Sequence, residues 1–339
     1  MNIKVVGIDL AKNIFQIHGV DEKGKAVFQK RVSRPKLAEI MANLPPCLVG
    51  MEACGGAHYW ARKFFSFGHT VKLMNPQYVK PYVKTNKNDA ADSEAICEAV
   101  TRPNMRFVPI KSQEQQDIQG LHRIRSRLIQ NRTALANQVR GLLQEYGIVI
   151  PQGLSHLRKR LPDIITSSDT ILTPAGQELF ADLYEQVVEF EKRIHAYDAR
   201  IQKLCRENEV CQRLIQVQGV GPITATALIA AVGDAKVFKN GRQMAAWLGL
   251  VPRQCSSGGK QVLLGISKRG DRYLRSLLIH GARASIRHIS QKFDAVSQWL
   301  KELIQRRGHN KACVALANKN VRILWALMAH NRQYRERHC

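Results

Sequence analysis

The sequence predicts an α/β plus α protein, with an α/β domain at the N-terminus, a long-helix middle and a mostly α-helical, basic C-terminal domain. Three observations carry this expectation. Short Val- and Ile-rich runs alternate with polar turns through the first 75 residues, apolar side chains recur at helical spacing over 112–146 and 174–208, and the charge is lopsided. Of 339 residues, 52 are Lys or Arg and 27 are Asp or Glu, a net charge of +25. Basic against acidic residues count 16 to 9 over 1–110, 14 to 13 over 111–210 and 22 to 5 over 211–339. With 45% hydrophobic residues the chain can bury a sizeable core and suits two or three domains, which excludes disorder of the whole.

Residues 3–9 (IKVVGID), 14–20 (IFQIHGV) and 25–31 (KAVFQKR) read as three strands joined by hairpins. A helix follows from Pro35, a favoured first position, to about Asn43. Then come a strand at 47–53 (CLVGMEA), a helix near 57–67, a strand at 70–74 and a helix at 88–101. Three antiparallel strands followed by alternating helices and strands is the ribonuclease-H-like α/β pattern. Pro103 and Pro109 bracket a boundary, which gives a first domain over 1–110.

From Ser112 to Tyr146 the apolar positions 118, 121, 124, 128, 135, 139, 142 and 143 form one helical stripe. A second stripe, 179, 183, 187, 190, 194, 197, 201 and 204, predicts a helix over 174–208. Residues 118–160 carry eight basic groups and one acidic, 161–210 five basic and ten acidic. Two long helices of opposite charge joined by a Pro- and Ser-containing connection predict an antiparallel pair or an oligomerising coiled coil over 111–210. Residues 211–339 read as mostly helical, punctuated by glycines at 219–221, 249 and 258–259.

The basic excess points to a polyanion, because each neutralised phosphate releases condensed counterions. No apolar run reaches the roughly 18–20 residues of a membrane span, and the N-terminus lacks the basic and cleavage features of a signal peptide, so a bacterial-type cytoplasm is expected. The eight cysteines include no CxxC pair and read as reduced thiols. Cys54 and His58 lie four apart, but no second ligand pair follows at finger spacing, which disfavours zinc.

Asp9 and Glu52 end two apolar strands, and Asp89 and Asp92 lie three apart at the start of a helix, on one face. In the predicted sheet the ends of the first and fourth strands are neighbours and the helix can cross them, so four carboxylates would converge. Such a cluster repels itself unless divalent cations neutralise it, and hard oxygen ligands favour Mg²⁺ or Mn²⁺. Two ions about 4 Å apart could stabilise the attacking and leaving oxygens of a phosphodiester. The bland alternative makes each a surface residue, with Asp89 a helix cap.

Over 247–275 the chain reads WLGLVPRQCSSGGKQVLLGISKRGDRYLR. Ser256 and Ser257 precede Gly258-Gly259, where backbone can approach a ligand, and Arg253, Lys260, Lys268, Arg269, Arg272 and Arg275 crowd the neighbourhood. Chemistry alone leaves two readings open: a loop that binds phosphate without reacting, or a nucleophile whose transition state the cations clamp. Gly219 and Gly221, ahead of the helix ITATALIAAVG, look like the turn of a helix–hairpin–helix that meets a backbone phosphate. Arg123, Arg125 and Arg127 add a basic stretch to the first long helix.

The ordered set GIDLAKN, GMEACGGAHYWAR, KTNKNDAADSEAI, GVGPITA and LGLVPRQCSSGGKQVLLGISKRGDRYLR resembles the DEDD transposases of the IS-one-ten family, most closely its IS-eleven-eleven group. GIDLAKN alone also resembles the first phosphate loop of actin-like sugar kinases, whose later glycine-rich loops are missing here. The transposase resemblance implies that Asp9, Glu52, Asp89 and Asp92 form an RNase H/RuvC-like metal-binding motif and that Ser257, or its neighbour Ser256, is the nucleophile. It further implies a serine-linked DNA intermediate, double-stranded DNA partners at element ends and target, and a structured non-coding guide RNA. A homo-oligomer, dimer or tetramer, acting at the nucleoid is expected with it. The alternative expectation is a RuvC-like junction nuclease that hydrolyses with water, and the non-enzymatic one a nucleic-acid scaffold.

Overall fold

In a computed structural model, residues 2–84, 88–168 and 170–334 are described. The chain divides into two compact units, residues 1–113 and 114–339. The sequence reading split the second at 210/211; in the structure both parts belong to one unit. The reason is that the middle helices pack into the C-terminal ones rather than standing apart.

The first unit is mixed α/β. Its strands are β1 (Val5–Asp9), β2 (Ile14–Val20), β3 (Ala26–Ser33), β4 (Leu48–Glu52), β5 (Thr70–Met74) and β6 (Phe107–Val108); its helices are α1 (Arg34–Asn43), α2 (Ala57–Ser66), the single turn α3 (Pro76–Val79) and α4 (Asp89–Val100). The sheet order is β3-β2-β1-β4-β5-β6. β1–β2–β3 form the expected antiparallel meander, and β4 and β5 run parallel beside β1. Because strand side chains alternate, the sheet has two faces. Val6, Ile8, Val49 and Met51 face a core shared with Leu37 and Met41 of α1 and Trp60 and Phe64 of α2. Val5 and Leu48 face the other side, against Ile96, Ala99 and Val100 of α4.

Among its described residues the second unit is helical apart from one hairpin. It comprises α5 (Gln113–Gln144), α6 (Leu154–Thr166), α7 (Pro174–Glu207), α8 (Glu209–Leu214), α9 (Pro222–Val232), α10 (Gly241–Trp247), the strands β7 (Pro252–Gln254) and β8 (Leu263–Ile266), then α11 (Arg272–Ile286), α12 (Ala295–Arg307) and α13 (His309–Ala329). In α7, capped by the Thr173 hydroxyl, the buried positions Phe180, Val187, Ile194 and Ile201 recur every seven residues, the period of a coiled-coil seam. α5 and α7 are antiparallel neighbours, since Arg125 pairs with Asp198 while Arg132, seven residues on, pairs with Glu191, seven residues back. The connection expected between them is in part a helix, α6, which contains Pro162 and buries Leu157 and Leu161. Apolar packing at those two positions outweighs the donor that proline removes. Of the positions expected on the two apolar stripes, Ile124, Leu142 and Leu179 are exposed instead. No helix among the described residues is long and apolar enough to cross a membrane.

Candidate functional site

The carboxylates begin with strand register. β1 and β4 pair in parallel with Gly7 opposite Gly50 and Ile8 opposite Met51, so Asp9 and Glu52 lie level one step beyond. Two residues before each carboxylate stands a glycine, so Gly7 and Asp9 share one face of the sheet, as do Gly50 and Glu52. That face is the one α4 covers. A Cβ on Gly7 would lie 2.3 Å from the Ser93 carbonyl oxygen and 2.5 Å from the Cys97 nitrogen; one on Gly50 would lie 2.8 Å from the Val100 Cβ. The glycine pair lets α4 lie directly on the strands, which directs its first turn, with Asp89 and Asp92, toward the strand ends. Sequence reasoning missed Gly7 and Gly50 as positioning residues. The signal was present, since a glycine inside an apolar strand marks a close backbone approach.

Asn88 caps α4, its Oδ1 accepting from the Ala91 nitrogen at 2.8 Å, so Asp89 is not the cap. Asp89 is exposed; Asp9, Glu52 and Asp92 are half-buried. Asp9 and Glu52 both act on the Cys54 thiol, whose pKa is raised first by burial and then by the negative charges of Glu52 and Asp9. These two carboxylates therefore face a common spot. The expected convergence of all four is not reached: among the described residues no three His, Cys, Asp or Glu side chains are grouped to hold a metal ion. The structure brings them together as two pairs, one on adjacent strand ends and one on a helix turn. Like charges keep such pairs apart unless divalent charge offsets the repulsion. The donor set, all carboxylate oxygen, fits a hard divalent cation by its chemistry. The Cys54–His58 spacing gathers no such group either, and the His58 Nδ1 accepts from the Lys111 nitrogen at 3.2 Å.

The serines lie on the β7–β8 hairpin, a paired turn in a region expected to be mostly helical and punctuated by glycines. Lys260 donates its backbone N–H to the Ser257 carbonyl at 3.0 Å, and Gly258 and Gly259 take φ of +55° and +78°. Positive φ at both central residues is a type I′ turn, the connection whose twist matches paired strands and which Gly-Gly supplies without strain. Ser257 and Lys260 thus close the turn as a cross-strand pair. In such a pair the Cβ atoms are roughly 5 Å apart, within reach of an ammonium. The adjacent serines differ: the Ser256 hydroxyl accepts from Gln254 Nε2 at 2.8 Å, while the Ser257 hydroxyl has no hydrogen-bond partner among the described residues.

Arg253, Lys260, Lys268, Arg269 and Arg272 are exposed around this hairpin. Arg275 is not part of that surface. It is 9% exposed, and its Nη1 donates to the carbonyls of Leu248 (3.1 Å) and Arg269 (3.0 Å), tying together two segments that Gly249 and Gly270 bring into contact. A buried guanidinium holding carbonyls is a structural staple.

Gly219 has φ +84°, and a Cβ there would lie 2.7 Å from the Gly281 carbonyl oxygen of α11. Helix packing therefore accounts for this glycine. Gly221 caps α9 ahead of Pro222, with open space where a Cβ would be, and leaves the helix N-terminus approachable. Arg123 and Arg127 are exposed, but Arg125 is engaged with Asp198 at 15% side-chain exposure and is withdrawn from the basic surface. Spacing alone could not separate them, because the partner helix decides which arginine turns inward.

Two family models match the chain. Residues 6–148 match a DEDD transposase model of the IS110 type, and residues 211–298 match a model described as transposase IS116/IS110/IS902 family. The chain is 52% identical over 336 residues to a probable family 20 transposase of Pseudomonas aeruginosa, covering 99% of each chain. It is 49% identical over 334 residues to the transposase for insertion sequence element IS1111A of Coxiella burnetii, covering 98% of this chain and 92% of the relative. The transposase for insertion sequence element IS1328 of Yersinia enterocolitica is 40% identical over 326 residues, 96% of this chain and 97% of the relative.

Proposed function

The chain belongs to the IS116/IS110/IS902 family of transposases, and on that premise we propose that it cuts and rejoins DNA to move an insertion sequence, with Ser257 as the nucleophile and an RNase H/RuvC-like DEDD set as the metal-holding group. The observation that carries the reading is Ser257 itself: an exposed hydroxyl, without a hydrogen-bond partner among the described residues, at the closing position of a glycine turn, opposite Lys260 and among exposed cations.

The Ser257 Oγ attacks a phosphodiester phosphorus and loses its proton; the P–O3′ bond breaks, and the departing oxygen takes up a proton as a free 3′-hydroxyl. The strand is left joined to Ser257 through its 5′-phosphate. The cations around the hairpin stabilise the negative charge that builds on the phosphoryl oxygens. Rejoining reverses these steps, with a 3′-hydroxyl displacing the serine, so the bond energy is retained without a nucleotide cofactor. The DEDD domain type implies a divalent metal ion. Asp9 and Glu52, with Asp89 and Asp92, would hold it, Mg²⁺ or Mn²⁺ by donor chemistry, and when bound it supplies Lewis-acid polarisation of the phosphate. The strand order β3-β2-β1-β4-β5, with carboxylates at the C-terminal ends of β1 and β4, supports the RuvC-like assignment.

Sequence choice by a structured non-coding guide RNA, and assembly as a dimer or tetramer holding several DNA ends, belong to the same proposal. The net charge of +25 supports a polyanionic partner. The test is a covalent protein–DNA adduct trapped on denaturing gels. Ser257→Ala should abolish it with DNA binding intact, and Ser256→Ala should retain it. An undiminished adduct in Ser257→Ala overturns the assignment. Cleavage that survives replacement of both serines identifies a hydrolytic junction nuclease instead. Copurified RNA that resists DNase and is enriched in one short transcript supports the guide; random cellular RNA counts against it.

A further inference from the structure

The second unit contains a cavity of about 350 Å³ bounded by α5, α9 and the start of α11. We propose that it takes one unstacked nucleotide of a single-stranded nucleic-acid segment, with the phosphate on Arg123 and Arg127 and the base against Tyr273. This rests on the transposase reading only in taking nucleic acid as the partner.

Size limits the occupant. A volume near the lower end of the roughly 300–1,000 Å³ of small-ligand pockets admits a nucleotide and excludes a duplex. Charge selects its class. Arg123 and Arg127 lie four apart on one face of α5, both line the cavity, both are exposed, and neither has an acidic partner among the described residues. Arg125, between them, is turned to Asp198 on α7. Two guanidinium groups one helical turn apart at the mouth of a cavity, neither in a salt bridge among the described residues, match an anion with several acceptor oxygens.

The wall is prepared for stacking. Thr226 donates its hydroxyl proton to the Pro222 carbonyl (2.7 Å), so His122 Nε2–H donates to Thr226 Oγ1 (3.0 Å) and His122 Nδ1 accepts from the Tyr273 hydroxyl (3.0 Å). Arg125 in turn hydrogen-bonds Tyr273. Burial, and secondarily the Arg125 charge, pushes the His122 pKa down to about 4, so the imidazole is neutral. Half-buried Tyr273 is the aromatic side chain left to meet a base, while His122, 3% exposed, stands behind it and holds its hydroxyl. Aromatic faces beside arginines are how unstacked bases are held. Ser126 and Gln130 on α5, and the Asp271 carboxylate opposite, add hydrogen-bonding groups for a base edge.

RNA and DNA share this chemistry, and binding to short fluorescently labelled oligonucleotides of one sequence separates them. The full chain is titrated against single-stranded RNA, single-stranded DNA and the DNA duplex by anisotropy, with 2-aminopurine in the strands as a stacking reporter. Arg123→Gln with Arg127→Gln, and separately Ser126→Trp, which fills the cavity while keeping both arginines, should each weaken single-strand binding about tenfold. Both should quench the 2-aminopurine response and leave duplex binding within about twofold. The strand bound more tightly by the wild type identifies the source of the nucleotide. Gln130→Trp, at an exposed rim position, blocks the same opening should Ser126→Trp unfold. Wild-type single-strand affinity in the tryptophan variants overturns the proposal, and so does an equal loss for duplex and single strands in the glutamine variant, which is the behaviour of a solvated basic face. Adduct formation at Ser257 is read in the same preparations: an adduct with indifferent cavity variants sinks the cavity alone, whereas no wild-type adduct sinks the transposition chemistry.

Discussion

Asp9 and Glu52 end strands that are paired on both edges and covered by α4, whereas Ser257 closes a hairpin in which every residue from Pro252 to Gly265 is exposed. The difference suits the roles proposed for them. Carboxylates that were to share a cation would need to be fixed to within about 0.5 Å, which close-packed backbone provides. A serine that was to attack the backbone of a bulky duplex would need to project beyond the core that carries it. The same amino acid serves both designs by different means: Gly7 and Gly50 supply absent volume, while Gly258 and Gly259 supply positive φ.

One methyl group tests that contrast most strongly. Gly7→Ala drives a Cβ into the backbone of α4, which cannot yield as a flexible side chain would. It should cost about 3 kcal/mol or more, read as a lowered urea midpoint, and should also remove strand cleavage. A native midpoint in Gly7→Ala would break the account of how α4 is held. A smaller effect separates the interior of the second unit from the hairpin it carries. Folded His122 resists protonation down to about pH 4, whereas the unfolded chain's histidine protonates near 6.5. Between these values the unfolded state binds more protons, so stability falls as pH falls through the window, by about 2 kcal/mol from pH 6.5 to pH 5, and levels off below about pH 4. His122→Gln should flatten this slope in urea titrations at pH 7 and pH 5; an unchanged slope would place the titrating group elsewhere. The smallest effect belongs to Gly258→Ala, at φ +55° with open space around it. It should lower stability by about 1 kcal/mol through backbone strain alone. Adduct yield should then fall further than stability does, and a loss as large as that of Gly7→Ala would erase the distinction between the two kinds of glycine.

Much of this was legible in the chain. The long helices expected at 112–146 and 174–208 are α5, Gln113–Gln144, and α7, Pro174–Glu207, because a 3.6-residue period over nine turns is a strong local signal. The three-strand meander and the helix at 88–101 were equally readable. The β7–β8 hairpin was not, since its strands are short and exposed almost throughout and give no two-sided apolar pattern; only the Gly-Gly pair announced the turn. Counting arginines also overstated the basic surface. Arg275 and Arg125 read like their neighbours in sequence, yet one staples two carbonyls and the other pairs with Asp198.

Most elements of the first unit, the two long helices, the carboxylates at two strand ends and one helix start, and the serine ahead of a glycine turn are therefore written locally, because each depends on residues close together in the chain. Tertiary structure decided that Asp9 and Glu52 share the face covered by α4, that α5 and α7 pair antiparallel, and which arginines remain free at the cavity. Those outcomes depend on which distant backbone packs against each residue, and burial between separated segments leaves no local period to read.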